Sequence, residues 1–317
     1  MTALALLLAG AVPGLAAAKD TVAFTIHDNR ITESSGLARD TASQLYWTTN
    51  DSGSAGVVYG IGTNGKVRGT LRYRAPITDV EAVAVHGNRL YVADIGDSTS
   101  SRSMVTVDYF LNPRANGLTV TYNAYDFRYP DGAHDAETLL VDGAGRLYVV
   151  TKGATGAVYE APKTPSRDTV NKLTKVGAAP ALVTDGVFLP GNRQIALLTP
   201  TSVVVLDART YQQVATASIP KQRQAESLAV NLAGDGLLVG SEGANSLVYA
   251  MAVPGAASAS ASATPSPSAS AGSGDSGDED VDATPATANR RGTYLALGLA
   301  GLVALVAGVV VALARRP

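Results

Sequence analysis

Residues 137–150 read ETLLVDGAGRLYVV, and residues 185–198 read DGVFLPGNRQIALL. The two align without a gap: an acid, an apolar run, a turn built on Gly, and a second apolar run. Short runs rich in Val, Leu, Ile and Tyr between Gly/Asn/Asp turns read as paired strands rather than helix. The same grammar occurs three more times, at Glu33 (ESSGLA), Glu81 (EAVAV) and Glu226 (ESLAV), with second runs LYW (45–47), LYV (90–92) and LLV (237–239). The acids are spaced 48, 56, 48 and 41 residues apart.

A third run follows in each repeat: 57–61, 104–110, 157–161, 202–207 and 246–251. A fourth follows in four of them: 69–75, 118–127, 171–177 and 213–219. Four strands per repeat of this length predict an all-β chain, a β-propeller. The fifth repeat lacks its last strand, while TVAFTIHD (21–28) is a strand without a repeat. Pairing the two closes a ring of five blades and 20 strands. A β-sandwich leaves the fivefold acid unexplained.

The ends give an address. TALALLLAGAV (2–12) followed by Ala16-Ala17-Ala18 reads as a signal peptide over residues 1–18, although no Lys or Arg precedes its apolar core. Residues 19–254 form the propeller ectodomain. Residues 255–292 are rich in Ala, Ser, Pro and Gly and carry Asp275, Asp278, Glu279, Asp280 and Asp282, a composition that suits a disordered stalk. The run Tyr294–Ala314 has no charge and is long enough to cross a bilayer, giving a transmembrane helix over 293–314 and a cytoplasmic tail at 315–317. The expected location is the cell membrane, crossed once, with the N-terminal domain outside.

Composition narrows the chemistry. Net charge is -2, which argues against nucleic acid as a partner. The absence of Cys excludes disulfides, Cys-held metals and a thiol nucleophile. There is no G-x-S-x-G, P-loop or H-E-x-x-H. What recurs is carboxylate. The start of one strand and the end of its antiparallel neighbour share an edge, so Glu33, Glu81, Glu137, Asp185 and Glu226 are expected at one mouth of the channel. Five carboxylates in a partly dry site need a cation, raised pKa values or basic partners, and Arg30, Lys152 and Arg223 lie near enough in sequence to serve as partners. An all-oxygen set suits Ca²⁺ or Mg²⁺ better than zinc or copper. The expectation is one Ca²⁺-like ion on these five acids, with Asn50, Asp51, Asp79, Asp94, Asp97, Arg102, His134 and Lys152 around it or binding a ligand. The opposing expectation is that the acids hold strand amides and fix blade packing.

ESSGL (33–37), TNDSG (49–53), DVEAVAV (79–85), LYVADIGD (90–97) and Arg102 resemble a group of bacterial exported propeller proteins marked by ESSG, NDSG, D-x-E-D-[IV]-A and DIGDN motifs. Ala82 stands where that group has an acid, and Ser98 where it has Asn. The Glu-Ser pattern is also similar to that of calcium-activated nucleotidases, which implies five blades and a central Ca²⁺. Esterase-like phytases and lactonase-type propellers are looser likenesses. Two functions follow as expectations. One is a membrane-anchored module that binds an envelope ligand or protein. The other is a Ca²⁺-dependent phosphoric-ester or ester hydrolase at the channel mouth. The sparse catalytic vocabulary favours the binding module over the hydrolase.

Overall fold

The computed structural model describes residues 21–52 and 56–256, in which the regular elements are strands. The chain opens on β1 (Thr21–Thr25). Blade 1 is β2 (Ser34–Asp40), β3 (Leu45–Asn50), β4 (Gly56–Ile61) and β5 (Val67–Tyr73). Blade 2 is β6 (Val80–His86), β7 (Arg89–Asp94), β8 (Val105–Leu111) and β9 (Asn123–Arg128). Blade 3 is β10 (Ala136–Val141), β11 (Leu147–Thr151), β12 (Gly156–Glu160) and, after a short β13 (Asn171–Lys172), β14 (Thr174–Ala179). Blade 4 is β15 (Asp185–Phe188), β16 (Gln194–Leu198), β17 (Ser202–Asp207) and β18 (Gln213–Ser218). Blade 5 is β19 (Ala225–Val230), β20 (Gly236–Ser241), β21 (Leu247–Ala252) and, on its outer edge, β1.

The innermost strands β2, β6, β10, β15 and β19 touch in succession, and β19 returns to β2. The five-bladed ring is therefore closed, and the N-terminal strand completes the last blade as the repeats predict. Five apolar clusters fill the five seams between blades. The seam between blades 5 and 1 is built partly by the closing segment. Phe24 and Ile26 are buried there with Tyr46, Tyr59 and Leu238, and the Phe24 and Tyr46 rings lie 5.8 Å apart.

Two expected strands divide differently. The run 118–127 pairs as β9 only from Asn123. Its beginning lies instead on blade 1, where Arg72 N donates to Leu118 O (3.1 Å) and Val120 N donates to Arg72 O (2.8 Å). Likewise Asn171–Lys172 runs parallel to β9 of blade 2, and only Thr174 onward joins blade 3. Each long connection thus lays a parallel strap on the outer strand of the preceding blade. An outer strand otherwise presents unpaired amides, so the straps cover exposed edges. The extra piece, β13, brings the count among the described residues to 21 strands.

The signal peptide, the stalk beyond residue 256, the transmembrane run and the tail lie outside the described residues. Among the described residues no helix is long and apolar enough to cross a membrane.

Candidate functional site

The acids at one mouth owe their convergence to a repeated irregularity. In β6, Val80 pairs with Asp94 and Ala82 with Ala93, leaving Glu81 unpaired. Glu137 is skipped in the same way between Ala136 and Thr138, and Glu226 between Ala225 and Ser227. A bulge residue leaves the regular alternation and re-aims its side chain. Glu33 stands just outside the first pair of its blade, Ser34 with Asn50. Asp185 is itself a ladder residue, opposite Leu198. The five acids that align in sequence thus occupy three different backbone positions.

Asp51, Glu226 and Glu242 each bring a carboxylate oxygen within 4.8 Å of the others. Asp51 and Glu242 follow the second strands of blades 1 and 5, on the same edge as the bulged glutamates. Burial pushes Asp51 up to about 6, with Glu33 and Glu226 adding repulsion. Burial, then the neighbouring Glu226 carboxylate, push Glu242 up to about 8. Glu81 rises to about 9, first through burial and then through Glu137, Asp79, Asp51 and Glu226. Its carboxyl meets that of Asp79 over Gly96, where a Cβ would lie 2.4 Å from Asp79 Oδ2 and 2.7 Å from Glu81 Oε1. Burial, then Asp135, raise Asp79 as well. Glu137 is 6% exposed; its Oε1 takes the Lys152 ammonium, while Oε2 is buried without a donor. Burial lifts Glu137 to about 7 against the pull of Lys152. Burial lowers Lys152, but Glu137 and then Glu226 hold it above its ordinary value.

Other expected residues are held by local partners. Asp185 is 2% exposed. Its Oδ2 accepts from the amides of Leu37 (3.3 Å) and Leu228 (2.6 Å), and its Oδ1 from Gly186 (2.7 Å). It therefore ties together the inner strands of blades 4, 5 and 1. Glu33 accepts from the Ser52 hydroxyl. Asn50 accepts from the Glu33 amide (3.3 Å) and donates to Arg30 O (2.8 Å), fixing the entry to blade 1. Asp94 accepts from the amides of Thr78 and Asp79 and pairs with Arg102 at 2.8 Å. Arg102 also donates to Gly96 O (2.7 Å) and Asp94 O (3.2 Å), so its guanidinium is occupied within the turn. Burial raises Asp97, but the amides of Ser101 and Arg102 more than reverse this. His134 sits with Asp131 and Tyr159, each at 3.0 Å, edge-on to Tyr129. Arg30 pairs with Asp28. Among the described residues Arg223 makes no ion pair, so of the three expected partners Lys152 alone pairs with one of the five aligned acids.

Of the close group only Glu226 is one of the five aligned acids, and Glu242 is the member absent from the expected site residues. Its signal was its place after strand two, equivalent to Asp51. Absent a cation, these crowded acids retain protons that the unfolded chain releases from ordinary values of 3.8 for Asp and 4.5 for Glu. The folded state then binds more protons, so stability is lost as pH rises between about 5 and 9. In EDTA, the full chain's melting temperature should fall steadily from pH 6 to pH 9. A rising melting temperature over that range would show that the acids are already ionised and compensated.

No family model and no curated protein matches the chain. Among solved structures it is similar to a gluconolactonase from Xanthomonas campestris, at 13% identity and TM-score 0.44, covering 72% of this chain and 89% of that one. A luciferin-regenerating enzyme is 12% identical, at TM-score 0.41, covering 71% and 92%. A protein from Lactobacillus plantarum is 18% identical, at TM-score 0.39, covering 70% and 69%. Likenesses this distant say nothing of activity.

Proposed function

We propose that the chain is a membrane-anchored extracellular propeller whose channel mouth holds a Ca²⁺-class cation and presents it to an oxygen-bearing ligand of the cell envelope. The observation that carries this is the Asp51–Glu226–Glu242 group, with its oxygens mutually within 4.8 Å. Three carboxylates that close repel one another unless a cation or protons lie among them. The donor set fits a hard cation, because all three groups are carboxylates and Asp51 Oδ1 is buried without a donor. Glu81 and Glu137 stand beside the group, and Lys152 could receive an anionic part of the ligand. The apolar run Tyr294–Ala314 and the Ala16-Ala17-Ala18 site support the anchored, exported placement.

Hydrolysis is the second reading, and one feature favours it. Glu137, at about 7, has both its protonated and ionised forms available at neutral pH. A bound divalent ion would supply polarisation of an ester or phosphoryl oxygen. Glu137 would take a proton from water, and Lys152 would orient the substrate's charge.

Thermal unfolding of the full chain, in EDTA and then in Ca²⁺, Mg²⁺ or Mn²⁺, tests the site. An ion at about 100 times its Kd should stabilise the fold by about 2.7 kcal/mol and raise the melting temperature several degrees. Glu226→Gln should remove most of that gain. No shift with any of the three ions would end the metal reading. Turnover of p-nitrophenyl phosphate or acetate that is lost in Glu137→Gln, with the Ca²⁺ shift retained, would decide for the enzyme.

A further inference from the structure

On the face opposite the acids, a 420 Å³ pocket lies at the foot of the seam between blades 2 and 3. His86, Arg89, Tyr91, Tyr125 and Lys163 line it, and among the described residues no Asp or Glu does. Arg89 leads into β7 just after the turn that follows β6, so topology places the pocket at the far end of the blades from Glu81. The ectodomain as a whole is nearly neutral, so this local positive charge does not reflect a generally basic surface.

Arg89 is held in position by tyrosines. Its guanidinium lies 5.0 Å from the centroid of the Tyr109 ring, which stacks on Tyr125 at 4.9 Å. The hydroxyls of Tyr91 and Tyr125 adjoin it, and their contact raises the Arg89 pKa further. Among the described residues neither Arg89 nor Lys163 has a carboxylate within ion-pairing distance. His86 packs on Gly145, where a Cβ would come within 3.3 Å of the imidazole. The pocket thus combines a fixed guanidinium fork, an exposed ammonium and phenolic edges in a concavity of small-ligand size.

A guanidinium held over an aromatic ring and without a carboxylate partner matches the planar oxygens of a phosphate or carboxylate. We infer that this pocket binds a small organic oxyanion, gripped by Arg89 and Lys163 with its body against Tyr91 and Tyr125. The ligand is separate from whatever the acidic mouth takes, because the two lie on opposite faces.

Phenyl phosphate, inorganic phosphate and benzoate, titrated calorimetrically into the full chain, test this. Phenyl phosphate or benzoate should bind more tightly than inorganic phosphate, which leaves most of the pocket empty. Binding should weaken as salt rises. Arg89→Lys, which keeps the charge but loses the fork, should weaken binding about tenfold. Lys163→Ala, at an exposed position without a hydrogen bond or ion pair among the described residues, should weaken it several-fold. EDTA should change nothing. The inference is overturned if no probe binds at millimolar concentration, or if both variants bind like the parent. It is also overturned if EDTA abolishes binding, which would place the anion on a metal at the acidic mouth.

Discussion

A chain lacking residues 21–28 should melt far below the full chain, or fail to fold at all. The closing strand pairs Thr21 with Ala250, Val22 with Tyr249, Phe24 with Val248 and Thr25 with Leu247, and Ile26 N donates to Ser246 O at 2.9 Å. Deletion removes these bonds, exposes the edge of β21, and takes Phe24 and Ile26 out of their seam. Emptying a buried Phe site costs about 3–5 kcal/mol and an Ile site about 2–5 kcal/mol. Against a total stability of about 5–15 kcal/mol, the loss is a large part of the whole. Phe24→Ala separates the contributions: it keeps the backbone pairing, and its melting temperature should lie between those of the parent and the truncation. A truncated chain that unfolds at the parent's temperature would show that β1 does not close the ring.

Asp185→Ala should be the most damaging single substitution among the acids. It would leave the amides of Leu37, Gly186 and Leu228 without their acceptor, in a place too buried for water to replace it freely. At about 1–3 kcal/mol for each orphaned amide, the melting temperature should drop by about 10 °C or more. Burial pushes the Asp185 pKa well up while the three amides pull it back. Asp185→Asn retains one acceptor oxygen, so its loss should be intermediate. Differential scanning calorimetry with and without Ca²⁺ reads both roles at once. If Asp185 is structural, Asp185→Asn lowers the baseline and keeps the Ca²⁺ increment. If it is a metal ligand, the increment disappears and the baseline barely moves.

The blades were legible because one periodic pattern, acid, apolar run, Gly turn, apolar run, recurs five times, and because blade 5 and residues 21–28 each lack what the other has. The straps were not. LTV (118–120) and Asn171–Lys172 have the composition of strands, and composition does not say which neighbour a strand joins. The acidic mouth was legible as a place, since strand ends fix which residues share an edge. Its membership was not. Glu81, Glu137 and Glu226 meet through bulges that no local residue preference announces. Asp185, one register step away, faces amides instead. Asp51 and Glu242 both follow a second strand and neither stands at the repeat's acid position, so of the close group the repeat itself marks only Glu226.

The straps bear on how this ring could be rearranged. In a simple repeat array each unit depends only on contact with its neighbours, so whole units can be duplicated, lost or exchanged. Here the segment that covers the outer edge of blade 2 is encoded within blade 3, and the one that covers blade 1 is encoded within blade 2. Cutting the gene at blade boundaries would separate an edge from its cover. The transferable unit is therefore the run of blades 1 to 3 together, and a chimera that splices inside that run inherits an open strand.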